Sequence, residues 1–243
     1  MTVWDDCQGI LGVSFNNCSL LTQAFVHSSY LNENPDFGLA SNERLEFLGD
    51  AVLDFVVAEL VYKEFPELPE GELTGIRASL VCSRSLVESA TLLKLGDWLL
   101  LGRGEELSGG RMKPSNLADT MEALVGAIYL DQGLRRAKRF ILKQLKPSMK
   151  RIRRGSMTPN YKALLQEFVQ SDKHSPPTYH LVEAIGPDHE RRFTVEVFVG
   201  DQVLGQGTGK TKKSAEAEAA KSAWRNLGAK QDFPEFASLH QES

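Results

Sequence analysis

From residue 21 to residue 145 the apolar positions recur every three or four residues, the spacing of helices rather than strands. LTQAFVHSSYL, NERLEFLGDAVLDFVVAELVYKEF, LTGIRASLVCSRSLVESATLLKLG, LADTMEALVGAIYLDQG and LRRAKRFILKQLK all follow it. The breaks fall at NENPDFGLAS, PELPEGE and GRGEELSGGRMKPS, which concentrate Pro, Gly, Asn and Ser. PSMKRIRRGSMT, at 147–158, has no apolar period and reads as a linker. Beyond it the pattern changes. TPNYKALLQEFVQ predicts a helix with Thr158 as N-cap and Pro159 at its first position. RFTVEVFVGDQVLGQG alternates at Phe193, Val195, Val197 and Val199, with Gly200-Asp201 as a hairpin turn. TYHLVEAIG supplies a partner strand, and KKSAEAEAAKSAWRNLG an alanine-rich helix closed by Gly228.

The expected fold is therefore two domains, an all-α domain over 1–147 and a small α+β domain, α-β-β-β-α, over 158–228. A basic linker at 148–157 joins them, and 229–243 is a tail.

Charge sharpens this division. The net charge of −4 hides 8 basic and 20 acidic residues in 1–134, then 10 basic and no acidic residues in 135–154. Such a basic run reads either as a patch for nucleic acid or an acidic partner, or as a solvated helix face. No apolar run is long enough to cross a membrane, and the N-terminus MTVWDDCQGI carries acids where a secretory signal has Lys or Arg. The scattered Cys7, Cys18 and Cys82 form neither a disulfide framework nor a CxxC metal site, which suits a reducing cytoplasm.

Acids stand where the helical pattern calls for core. Glu43, Glu46 and Asp50 fall within about 60° of one another on a helix otherwise filled by Leu45, Leu48, Val52 and Phe55. Asp119 and Glu122 repeat the i, i+3 spacing in LADTMEAL. Buried carboxylates need cations. Oxygen ligands without His or Cys favour Mg²⁺ or Mn²⁺ over Zn²⁺. The spacing also admits a structural reading, in which Glu43 and Asp119 favour helix dipoles and Glu46 pairs with Arg44 or a distant Arg. His27 reads as a capping or core residue.

NERLEFLGDAVL resembles the signature of the ribonuclease III family. LTQAFVHSSY, FPELPEGELTGIRASLV and LADTMEALVGAIYLD are similar to further blocks of that family in the same order. Residues 158–228 resemble its double-stranded RNA-binding domain, so the likeness covers nearly the whole chain outside the tail. It implies a Mg²⁺-dependent endonuclease, with Mn²⁺ as a substitute, that cuts both strands of duplex RNA as a cytoplasmic homodimer. The products carry 5′-phosphates and short 3′ overhangs, and the expected substrates are ribosomal RNA precursors and structured messages. It implies Glu43, Asp50, Asp119 and Glu122 as metal ligands, with Asp50 and Glu122 catalytic. Glu46 and Glu70 match acids at the edge of the active site or of the dimer surface. Ala51 stands where many members carry Ser, which changes no ligand.

In the second domain the resemblance places Gln166, Glu167 and Gln170 in one minor groove of the duplex and His189 in the next. Lys210, Lys212 and Lys213 meet the intervening phosphates at a helix N-terminus, which itself attracts anions. Ser214 stands where the family often has a third basic residue. Two other readings remain open: a binding module that has lost catalysis, and a metal enzyme acting on another substrate.

Overall fold

The computed structural model describes residues 3–153, 160–171, 175–187 and 190–228. Contacts divide them into two compact units, one of residues 3–64 with 80–153, the other of 65–79 with 160–228.

The first unit is helical. It comprises α1 (Val3–Leu11), α2 (Cys18–Ala24), α3 (Ser28–Glu33), α4 (Glu43–Glu64), α6 (Ser83–Leu92), α7 (Arg103–Leu107), α8 (Pro114–Gln132) and α9 (Leu134–Arg153). Two short 3₁₀ turns, Leu95–Trp98 and Gly110–Met112, lie on either side of α7. Between α4 and α6 the chain forms α5 (Glu70–Val81), most of which belongs to the second unit. LTGIRASLVCSRSLVESATLLKLG is thus two helices, parted at Cys82. The only extended pairing among the described residues of this unit is one bridge, Val26 with Leu100.

α8 is the spine. Leu117, Ala118, Met121, Ala123, Leu124, Val125, Ala127 and Ile128 are buried around nearly its whole circumference, as in a central core helix. It packs against α2, α4, α6 and α9. Pro114 opens it, where a missing N–H costs nothing. Its start is held from the side: Asn116 Nδ2 donates to Glu105 Oε1 at 2.9 Å and to the Gly110 carbonyl at 3.0 Å. Lys113 Nζ reaches the same Glu105 oxygen at 3.1 Å.

α4 meets α8 backbone to backbone. A Cβ at Gly49 would stand 1.7 Å from the Glu122 carbonyl oxygen, and one at Gly126 2.2 Å from that of Leu45. Glycine alone permits this approach. α4 presents Leu45, Val52, Leu53, Val56 and Val57 to the core.

α9 continues through Pro147 to Arg153, where the sequence reads as linker from 148. Tertiary packing decides this: Ser148, Met149 and Ile152 are buried and carry the helix past the proline. His27 caps α3, its side chain accepting from Ser29 N. No disulfide forms among the described residues, and burial pushes the Cys7 thiol up to about 12.

The second unit has the expected order of α10 (Tyr161–Ser171), β1 (Thr178–Ile185), β2 (Arg192–Val199), β3 (Gln202–Gly209) and α11 (Lys212–Gly228). The sheet is antiparallel, ordered β1-β2-β3, and Gly200 turns β2 into β3 at φ +57°. Val195 and Val197 point inward; on α11, Ala215, Ala219, Ala220 and Ala223 are fully buried and lie close over β3. Asn160 Oδ1 accepts from Ala163 N near the start of α10. Thr158, Pro159 and the tail lie outside the described residues. Segment 65–79, inside the helical domain as drawn from sequence, packs in this unit: Gly75 lies against the Tyr161 ring, and Glu72 pairs with Arg225 and Lys221.

Replacing either crossing glycine tests the α4–α8 contact. Gly49→Ala and Gly126→Ala each force the helices apart and lower unfolding stability by about 3 kcal/mol, as overpacking does. Urea titration measures it, and wild-type midpoints in both variants would contradict the contact.

Candidate active site

The crossing of α4 and α8 determines which acids meet. Gly49 lies between Glu46 and Asp50 on α4, and its contact atom belongs to Glu122 on α8. One carboxylate oxygen from each of Glu46, Asp119 and Glu122 lies within 4.8 Å of the others. All three are half-buried, and no Lys or Arg side chain bonds any of them among the described residues.

The electrostatic consequence is largest at Glu122. Burial, then the charges of Asp50, Glu46, Asp119 and Asp54, push its carboxyl up to about 8. Glu46 is raised by burial and by Asp119, Glu43 and Asp50. Asp119 is raised by burial, against a weaker opposing pull from His27 and Lys113. Asp50 is solvent-exposed on one side; the protein packed against its other side raises it, as does Asp54. Like charges in a partly desolvated site cannot all ionise cheaply without a cation among them.

The donor set fits a hard divalent ion: carboxylate oxygens only, from two rigid helices. Glu46 is inside the three-acid group, whereas the sequence reading places it at the edge. Glu43, expected as a ligand, is the exposed first residue of α4, accepts from Ser41 Oγ at 2.8 Å and lies outside the group. Asp50 also lies outside it, but acts on Glu122 and Glu46 through its charge. Glu70 begins α5, accepts from Thr74 Oγ1 at 2.9 Å and is not in the group.

Asp54 is the acid that the sequence reading passes over. It is four residues beyond Asp50 and within about 80° of Glu46 on the same helix, so the helical wheel alone contains the signal. Its place in the apolar run AVLDFVV obscures it.

In the second unit, Lys210 precedes α11 while Lys212 and Lys213 form its first turn; all three are exposed. Thr211 caps the helix. Its Oγ1 accepts from Ser214 N at 3.1 Å, and Ser214 Oγ accepts from Thr211 N at 3.0 Å. This is a reciprocal capping box with Ser in the place usual for Glu or Gln. It explains Ser214 where a further cation is usual in the family: the hydroxyl holds the helix start that presents the lysines. Gln166 is exposed on α10. The side chains of Glu167 and Gln170, and the whole of His189, lie outside the described residues.

A raised carboxyl makes a signed prediction. Without metal, the folded state holds a proton on Glu122 that the unfolded chain releases near pH 4.5. Stability is therefore full below that pH and falls as pH rises toward about 8. In chelator, Glu122→Gln is more stable than wild type at pH 8, by roughly 1–3 kcal/mol after allowing for solvent screening, and the gap closes near pH 4.5. Urea unfolding at the two pH values measures it; a gap independent of pH would contradict the electrostatic account.

Known proteins share both units. A Ribonuclease-III-like family model matches residues 17–149, and a double-stranded RNA binding motif matches residues 161–227. Ribonuclease 3 of Desulforamulus reducens is 49% identical over 89% of this chain and 88% of its own. Ribonuclease 3 of Dehalococcoides mccartyi is 47% identical over 88% of this chain and 90% of its own. Among solved structures, the nuclease domain of ribonuclease III from Campylobacter jejuni is similar at a TM-score of 0.55 and 39% identity, covering 61% of this chain and 97% of that one. A second structure of that domain, described as flexible in a region involved in dimer formation, has 40% identity and a TM-score of 0.55, covering 59% of this chain and 96% of that one. Two domain matches in the order of the fold, with near-half identity over most of the chain, make this protein a member of the ribonuclease III family.

Proposed function

We infer that this chain is an endoribonuclease that hydrolyses both strands of duplex RNA as a homodimer in the cytoplasm, with Mg²⁺ held by Glu46, Asp50, Asp119 and Glu122. The observation that carries this reading is the acid cluster at the glycine crossing, where burial and then mutual repulsion raise Glu122 to about 8. The ligand set differs from the sequence expectation at one position: Glu46, inside the three-acid group, replaces the exposed Glu43, while Asp50, outside that group, is kept for the charge it exerts on Glu122.

Bound there, Mg²⁺ supplies a water of lowered pKa and neutralises charge at the scissile phosphate. The chain's own part is positioning. α4 and α8 deliver their acids from two sides with little freedom to move, because the backbones between them touch. Without a cation, the acid cluster itself repels a polyanion. Lys210, Lys212 and Lys213, beside the N-terminus of α11, carry the complementary charge for RNA phosphates.

One acid cluster accounts for one strand. A surface for a second copy runs along α4 beside the acids: Phe47, Phe55 and Tyr62 are 81%, 58% and 72% exposed. With Ala51 they lie within about 80° on the wheel. Large aromatics left in water along one helix favour an interface. Of DFVVAELVYKEF, read from sequence as interface or core, Val56, Val57 and Val61 are core while Phe55 and Tyr62 face out.

Cleavage of a labelled long duplex tests the active site. Wild type cuts with Mg²⁺ and not in chelator. Glu122→Ala and Glu46→Gln lose about a thousandfold or more, while Glu43→Gln loses about tenfold or less. A Glu43 loss as large as that of Glu46 would contradict the ligand set. Retained binding without cutting by folded wild type would favour an RNA-binding regulator. Sedimentation tests the α4 surface: Phe47→Glu with Phe55→Glu gives monomers where wild type is dimeric, and a dimeric variant would contradict that surface.

A further inference from the structure

The outward face of α9 carries a row of cations that its own unit leaves unpaired. Arg135, Arg136, Arg139, Lys143, Lys146 and Lys150 are all exposed and lie within about 100° of one another on the helix. The opposite side buries Phe140, Ile141, Leu145 and Met149. Cations on the flanks and at the end of the helix have local acids: Lys138 bonds Glu59, Arg151 bonds Glu88 at 2.8 Å, and Arg153 bonds Glu64. None of the six has a carboxylate partner among the described residues.

This arrangement works against the helix. Arg135–Arg139, Arg139–Lys143 and Lys146–Lys150 are like charges four apart, Arg136–Arg139 and Lys143–Lys146 like charges three apart, and α9 contains no acid to relieve them. Each such pair destabilises a helix slightly. In a chain with more acidic than basic residues, a uniform row of this length concentrates positive potential that an extended polyanion would relieve.

We propose that the outward face of α9 is a second RNA-binding surface, which grips the phosphate backbone of duplex RNA away from the cleavage site. The inference rests on the duplex-RNA reading above. From Arg135 to Lys150 the row spans roughly 22 Å, a linear array suited to a regularly charged backbone. It is not a continuation of the acid cluster: Lys138 bonds Glu59, nine residues, or roughly 14 Å, along α4 from Asp50. A membrane surface fits less well. A helix that lies on lipid inserts its apolar side, and here Phe140, Ile141 and Leu145 are sealed in the core at 2–3% exposure.

The test is the salt dependence of full-length protein binding to a long RNA duplex, in chelator so that nothing is cut. Arg139→Gln, Lys143→Gln and Lys146→Gln are combined in one variant. A companion carries Arg139→Lys, Lys143→Arg and Lys146→Arg. Loss of three phosphate contacts lowers the slope of log affinity against log salt by about two to three and weakens binding at low salt by about tenfold or more. The charge-keeping companion binds as wild type does, which separates lost charge from lost folding. Wild-type affinity and slope in the Gln variant would overturn this surface while leaving the nuclease reading intact. Wild type that binds no duplex RNA at all would overturn both. Binding of wild type, but not of the Gln variant, to phosphatidylserine–phosphatidylcholine vesicles, with RNA binding equal in the two, would assign the row to an anionic lipid surface instead.

Discussion

The nuclease unit depends on a single backbone contact, where α4 and α8 cross at Gly49 and Gly126 with no side chain between them. Helices separated by ordinary side chains stand 8–10 Å apart. Here the carbonyl of Glu122 occupies the place where a Cβ of residue 49 would be. Because the crossing falls beside Glu46, Asp50 and Glu122, the same contact that closes the core also sets the spacing of the acids. Packing and chemistry cannot be separated at this point.

The surroundings keep the acids apart from the protein's own cations. Glu59, with Lys138 and Lys63 on it, is held down to about 2. Glu105 is lowered by Asn116 and Lys113, and Arg111 donates to the carbonyls of Gly96 and Leu99. The bonds of Lys63, Lys113, Lys138 and Arg111 thus go to groups other than the clustered acids. What remains at the crossing is a set of carboxylates whose repulsion is relieved by a bound proton or by a cation from solution, which is a physical account of metal affinity from the folded chain itself.

The second unit solves the opposite problem, exposing positive charge on a frame with little bulk. α11 presents alanines to the sheet, so helix and strands pack closely. Its N-terminus is secured by the Thr211–Ser214 exchange rather than by an acid, which would have neutralised the neighbouring lysines. A capping box of two hydroxyls leaves the positive end of the helix open to phosphate.

Much of this was legible in the chain. Helical period in the first part, alternation from Phe193 to Val199, the alanine face of α11 and acids at i, i+3 spacing are local patterns, set by 3.6 and 2.0 residue repeats. Identity of type and spacing carried the family as well. Tertiary structure decided what those repeats do not encode. Glu43, Glu46, Asp50 and Asp54 share one face of a helix by sequence, but only the crossing with α8 brings Glu46 to Asp119 and Glu122 and leaves Glu43 beside Ser41. α9 passes through Pro147 because Met149 and Ile152 find a core to enter, and Phe55 faces water while Val56 does not because α8 and α9 cover one side of α4. A wheel gives the direction of a side chain from its own axis; which neighbour waits in that direction is a property of the packed fold.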